Sequence, residues 1–177
     1  MTESKYIWMD GEFTPWNEAK VHVLSHTLHY GNGAIEGTKA YKTVDGRCAI
    51  FKLNEHTQRL LNSSKMTLMN VPFSLEELNK AQVELLQKNE LTNGAYIRPL
   101  VYLGYGVMGL YHKDAPVKVS ISAWEWGAYL GEEGLKKGVR VKISSFTRTP
   151  NTSGMGKAKS VANYMNSQMA KFEAVEA

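Results

Sequence analysis

Apolar and polar positions alternate over residues 6–14 on either side of Asp10-Gly11, a pattern that predicts a two-stranded hairpin. TKAYKTV (38–44) and RCAIF (47–51) flank Asp45-Gly46 in the same way and predict a second. From about Asn54 to Met69 the apolar period lengthens to that of a helix. Leu60, Leu61, Ser64 and Leu68 form its inward stripe, and Asn54 is placed to cap it. Ser74-Leu75-Glu76-Glu77 has the form of a capping box. It opens a helix with apolar positions at Leu75, Leu78, Val83, Leu85 and Leu86, stopped near Asn93-Gly94. YIRPLVYLGYG (96–106) and VKVSISAW (117–124) predict longer strands, and GVRVKISSF (138–146) alternates like another. RTPNTSGMG (148–156) is a polar connection into a last helix. There Val161, Tyr164, Met165, Gln168, Met169, Phe172 and Val175 recur at helical spacing.

This order of elements predicts an α+β chain. Residues 1–120 form a complete small unit, 121–135 a linker, and 136–177 the opening of a second unit whose last helix has an apolar face in need of a partner. The 177 residues are enough to bury a core. No apolar run reaches the ~18 residues of a membrane span, and MTESKYIWMDGEF lacks the apolar core of a secretory signal. The single cysteine, Cys48, permits no intrachain disulfide and suits a reducing compartment, the cytoplasm. The net charge of +4 is spread among acids, without the basic stripe that nucleic-acid binding needs.

Several constellations bear on chemistry. His22, His26 and His29 stand at i, i+4 and i+7, but VHVLS reads as strand and no neighbouring carboxylate completes a zinc site, so a polar turn is the simpler account and no metal is expected. GNGAIEG (31–37) has the spacing G-x-G-x-x-x-G, which is not the dinucleotide fingerprint; its glycines suit tight turns or close backbone approach. Arg59 is either a surface residue at the edge of a helix stripe or a guanidinium presented to a phosphate. Arg98 lies in a strand so apolar that its charge must snorkel, pair or bind an anion. Lys157 and Lys159 precede the last helix. Either both are solvated, or one is placed for its amine. An ordinary amine, with a pKa of ~10.4, is protonated at neutral pH and cannot attack a carbonyl. Burial or the positive end of a helix favours the neutral, nucleophilic form, so a Schiff-base lysine fits this position.

VHVLSHTLHYGNGAIEGTKAY, HTQRL, YIRPLVYLGYGVMGL, WEWGAYLG and KAKSVANYMNS, in this order, resemble the bacterial branched-chain amino acid aminotransferases, enzymes of fold type IV that depend on pyridoxal 5′-phosphate (PLP). The similarity runs from about Tyr6 to the last helix. It implies the D-amino acid aminotransferase-like α+β fold, with a complete N-terminal domain and the start of a larger one. It implies a Schiff base on Lys159, with Lys157 a bystander, the cofactor phosphate on Arg59, and the ring's 3′-oxygen on Tyr164. Tyr30, Ile35, Gly37, Tyr96, Arg98, Leu110, Trp126 and Tyr129 match substrate-pocket positions, some of which reach across a dimer interface in the family.

The implied reaction is transamination between leucine, isoleucine or valine and 2-oxoglutarate, with Arg98 meeting the γ-carboxylate and apolar residues the branched chain. The implied assembly is a homodimer or larger homo-oligomer. Ile35 stands where many members carry phenylalanine, which leaves the preferred chain length open. Family members continue past the lysine helix into a segment whose acid pairs with the pyridine nitrogen. The expectation is therefore the N-terminal portion of the enzyme, with weak or no turnover by this chain alone. D-amino acid transaminase and aminodeoxychorismate lyase share the lysine and the phosphate arginine, and a non-catalytic folded domain is the other alternative.

Overall fold

The structure is a computed structural model that describes residues 2–126, 131–150, 152 and 156–177. Its centre is an antiparallel sheet. Strands β1 (Tyr6–Met9) and β2 (Glu12–Pro15) form the first hairpin, and Asp10 and Gly11 turn it with φ of 49° and 106°. A short helix, α1 (His26–Tyr30), leads into β3 (Gly33–Ile35). The second hairpin joins β4 (Thr38–Lys42) to β5 (Cys48–Ile50). Helices α2 (Leu53–Met66) and α3 (Leu75–Lys88) follow, and then the long strands β6 (Gly94–Leu103) and β7 (Val117–Trp124). The sheet order is β2-β1-β7-β6-β4-β5, with β3 also paired to β6. Beyond it lie α4 (Gly131–Lys137), a 3-10 turn over Val161–Asn163, and α5 (Tyr164–Val175).

The two faces of the sheet differ because side chains alternate along a strand. On β6, Ala95, Ile97, Pro99 and Val101 are buried, whereas Tyr96, Arg98 and Leu100 are only half-buried and share the other face. Val119, Ile121 and Ala123 of β7 continue the buried layer, and Leu60, Leu78 and Leu85 from the helices complete the core with it. The capping box of α3 forms in full: Ser74 Oγ accepts from the Glu77 backbone N–H at 3.2 Å and the Ser74 N–H donates to Glu77 Oε2 at 2.7 Å.

Four local expectations are corrected. The cap of α2 is Lys52, at φ 54°, and Asn54 already lies inside the helix. Leu68 lies beyond the helix at φ 60° and is 78% exposed, and Met69 takes the buried place instead. Helix α3 stops at Lys88, before Asn93-Gly94, and its Val83 is exposed. Residues 138–146 keep their alternation yet form no strand: Val141 and Ile143 are exposed, and among the described residues no strand pairs with them. A strand exists only through hydrogen bonds to a neighbour, which the alternation of one segment does not supply.

The apolar face of α5 is open as its sequence implied, with Met165, Phe172 and Val175 exposed. Two of the three histidines are spent on backbone carbonyls. His26 Nε2 meets the Gly109 carbonyl at 2.8 Å and His29 Nε2 the Val23 carbonyl at 2.9 Å.

Candidate active site

The chain returns to the sheet just before α5. Ser160 makes an isolated antiparallel bridge to Ala34, and the Ile35 N–H donates to the Lys159 carbonyl at 3.0 Å. On the other side of the same residue, the Lys159 N–H donates to Ser63 Oγ of α2 at 3.0 Å. Gly33 permits this approach: a Cβ there would lie 3.0 Å from Val161 Cγ2 and 3.2 Å from the Val101 carbonyl. The backbone of Lys159 is therefore held between β3 and α2.

The side chain turns into a cavity of about 380 Å³ lined by Arg59, Arg148, Lys157, Lys159, Ser160 and Tyr164, among others. Lys159 is half-buried and donates from Nζ to Tyr164 Oη at 2.5 Å, with Nζ 5.2 Å from the ring centroid. Lys157 lines the same cavity but is exposed. The volume falls in the ~300–1,000 Å³ range of ligand sites. Two guanidinium groups and two amines converge there with hydroxyl donors, a lining suited to an anion.

One participant carries no motif of its own in the sequence. Glu36, with 0% of its side chain exposed, accepts from Arg59 Nε at 2.5 Å and from Arg59 Nη2 at 2.8 Å. His56 Nδ1 lies 2.9 Å from Glu36 Oε2 and 3.4 Å from Arg59 Nη2. That nitrogen cannot both donate to the carboxylate and accept from the guanidinium. The shorter, charge-assisted contact favours the tautomer with hydrogen on Nδ1. Burial pushes the Glu36 carboxyl up. The hydrogen bonds from Arg59 and His56, the Arg59 charge and the Gly37 N–H together outweigh it and hold the carboxyl below its ordinary value. The only sequence signal was an acid among glycines and apolar residues, in a segment with no reason of its own to carry charge.

One residue further, Gly37 opens a second group. Tyr96 fills the space beside it and leaves no room for a side chain: a Cβ at Gly37 would sit 2.1 Å from Tyr96 Oη. Arg98 Nη2 donates to that hydroxyl at 2.7 Å, and Arg98 Nε is buried with no hydrogen-bond partner among the described residues. Trp126 meets the Tyr96 ring edge-on at 4.7 Å. Gly37, Tyr96, Arg98 and Trp126 are thus brought together, and the Glu36–Gly37 peptide joins them to the Arg59 corner.

Ile35 is half-buried and next to Lys159 through its backbone. Tyr30 and Leu110 lie elsewhere and are exposed; among the described residues neither lines the Lys159 cavity. Tyr30 stacks on His26 at 4.5 Å, whose contact with Gly109 places the Leu110 loop beside it. Tyr129 falls outside the described residues.

Fold and cavity together define a class. Residues 33–177 match the family described as amino-transferase class IV, and the chain belongs to that family. Within it, a branched-chain-amino-acid aminotransferase of Pseudomonas aeruginosa is 47% identical over 169 residues, covering 96% of this chain and 54% of that protein. The crystal structure of the Escherichia coli branched-chain amino acid aminotransferase is similar with a TM-score of 0.91 at 41% identity, over 98% of this chain and 57% of that one. The crystal structure of a T.th. branched-chain amino acid aminotransferase with pyridoxamine 5′-phosphate gives a TM-score of 0.91 at 46% identity, over 99% of this chain and 57% of that one. These likenesses bear out the resemblance and the fold read from the motifs. The chain spans about half the length of the curated relatives it matches.

Proposed function

We propose that this chain belongs to a PLP-dependent aminotransferase that moves the amino group between leucine, isoleucine or valine and 2-oxoglutarate. The observation that carries the proposal is the Lys159 amine on Tyr164 Oη, inside the cavity that Arg59 also lines. The names of the relatives support the branched-chain class, and the pyridoxamine 5′-phosphate in a solved relative supports the cofactor.

The lining fits PLP, a small aldehyde with an anionic phosphate. Lys159 would hold it through its amine, Arg59 through guanidinium donors at the phosphate, and Tyr164 through its hydroxyl. When bound, PLP supplies an electron sink for the charge that develops at the α-carbon of an amino acid. Residues of this chain would act around it. The Lys159 amine is the group placed to take the α-proton and later return one, and Tyr164 Oη orients it. Its backbone, fixed by Ile35 and Ser63, gives that amine a fixed point of attachment. Arg98, whose Nε has no partner among the described residues, offers a cation to a substrate carboxylate, and the Tyr96 and Trp126 rings offer an apolar wall to an aliphatic chain. Ile35 would help to set the length of chain accepted.

The expected organisation is a small domain over 1–120, a connection over 121–135 and a cofactor domain from 136. The expected assembly is a homodimer or larger homo-oligomer in the cytoplasm. Val23, Leu28, Tyr30, Leu110 and Tyr111, all exposed, support a subunit interface, and such an interface would let Tyr30 and Leu110 serve a neighbouring site. Among the described residues no helix is long and apolar enough to cross a membrane.

Borohydride reduction of the protein after incubation with PLP, followed by peptide mapping, tests the central bond. A pyridoxyl tag is expected on Lys159, absent in Lys159→Ala and retained in Lys157→Ala. A tag elsewhere, or none, overturns the proposal. Conversion of the bound chromophore by L-leucine supports the branched-chain class, whereas conversion by D-alanine alone replaces it with a D-amino acid transaminase.

A further inference from the structure

We infer that Glu36 is a positioning residue that presets Arg59 for the phosphate of the cofactor, and that through it the protein discriminates phosphorylated from unphosphorylated vitamer. The inference rests on the proposed PLP reading of the Lys159 cavity and adds a role that the sequence motifs did not assign. Arg59 projects from α2 with 53% of its side chain exposed, so its packing holds the guanidinium only in part. An arginine in water samples many rotamers and must give them up to bind an anion.

Glu36 removes that freedom. Its carboxylate is entirely buried, and its backbone N–H is bonded to the Pro99 carbonyl at 2.9 Å, so it cannot follow a moving partner. It holds Arg59 by a fork of two contacts, at Nε and Nη2. A guanidinium has five N–H donors. The fork uses the Nε side, Nη1 takes no part in it, and Arg59 lines the cavity. Such a fork sets orientation as well as charge.

His56 completes the support. It fills a further lone pair of Glu36 Oε2 from the same helix as Arg59. The carboxylate is thus satisfied without drawing Arg59 further round. A buried carboxylate of this kind could instead serve only to join the β3–β4 junction to α2. The two roles differ in what they predict for ligands. A joint between elements affects every ligand of the cavity, whereas a preset guanidinium affects only those with a phosphate.

The test compares PLP, pyridoxal and inorganic phosphate as ligands of the wild type and of Glu36→Gln, Arg59→Ala and the double variant. PLP and pyridoxal are followed by absorbance titration and phosphate by calorimetry. By analogy with the groups that orient metal ligands, Glu36→Gln should weaken PLP and phosphate about 10- to 100-fold. Pyridoxal affinity should not change, and the double variant should bind PLP no worse than Arg59→Ala. Equal loss of PLP and pyridoxal, or unchanged PLP affinity in Glu36→Gln, overturns the inference. Should Glu36→Gln not fold, Glu36→Asp keeps the charge but draws the carboxylate back by one methylene from Arg59, and the same selective loss is expected of it. A wild type that binds phosphate in a Glu36-dependent manner but takes no tag at Lys159 supports the arginine's presetting and sinks the reading of Lys159 as the attachment point, so the two failures are separable.

Discussion

Tyr96 occupies the space in which a side chain at Gly37 would begin, its hydroxyl 2.1 Å from where a Cβ would stand. The same hydroxyl accepts from Arg98, so the absence of an atom at position 37 sets the place of a cation on β6. Gly37→Ala must displace Tyr96 and with it Arg98. If Arg98 receives a substrate carboxylate, kcat/KM for 2-oxoglutarate, measured in an active protein of the relatives' length that carries this chain, should fall by roughly 10- to 100-fold, the scale of an ångström-sized misplacement. PLP uptake should be unaffected. Steady-state kinetics beside a PLP titration check this, and equal loss in both would place the damage elsewhere.

Acid should weaken the protein partly through Glu36. Its carboxyl is held below the ordinary value despite burial, by the hydrogen bonds of Arg59 and His56. The unfolded chain therefore binds more protons than the folded one in this range. The stabilisation is in full force above the unfolded carboxylate value of about 4.3 and disappears as pH drops through the lower folded value. Urea unfolding of the wild type and Glu36→Gln between about pH 6 and about pH 3 should show the wild-type advantage shrinking. A difference that does not vary with pH would contradict this.

Leu60 of α2 is 1% exposed and belongs to the central core. Leu60→Ala leaves a cavity and should cost about 2–5 kcal/mol. The urea midpoint should fall with an unchanged slope, as for a loss of packing without a change in the unfolded chain.

At the start of α3 the reciprocal bonds of Ser74 and Glu77 satisfy two backbone N–H groups at once. Ser74→Ala should destabilise by about 1 kcal/mol and Ser74→Gly by a few tenths. Thermal melting of the two variants gives the comparison, and an alanine variant as stable as the wild type would show that the box contributes nothing here.

The features legible in the sequence were those with a local cause. The Asp10-Gly11 and Asp45-Gly46 turns and the Ser74 box each carry their chemistry within a few residues, and each formed where expected. The motif singled out Lys159 as a candidate, and the structure distinguishes it from exposed Lys157 by tying its backbone to Ile35 and Ser63. Glu36 was not legible. Its partners lie 20 and 23 residues away on a helix, and no period connects a strand end to a helix face. The cap of α2 was hidden because Lys52 supplies it by backbone conformation and not by a side chain. The 138–146 alternation misled because it reports one side of an interaction whose other side is a different segment.

The double anchoring of the Lys159 main chain, to the sheet at Ile35 and to a helix at Ser63, leaves the amine a fixed pivot and a flexible arm. If Lys159 acts as proposed, its nitrogen would reach each station of a reaction by rotation about its four-carbon tether. Such a swing would be confined to one side chain, with no hinge in the main chain called on for it.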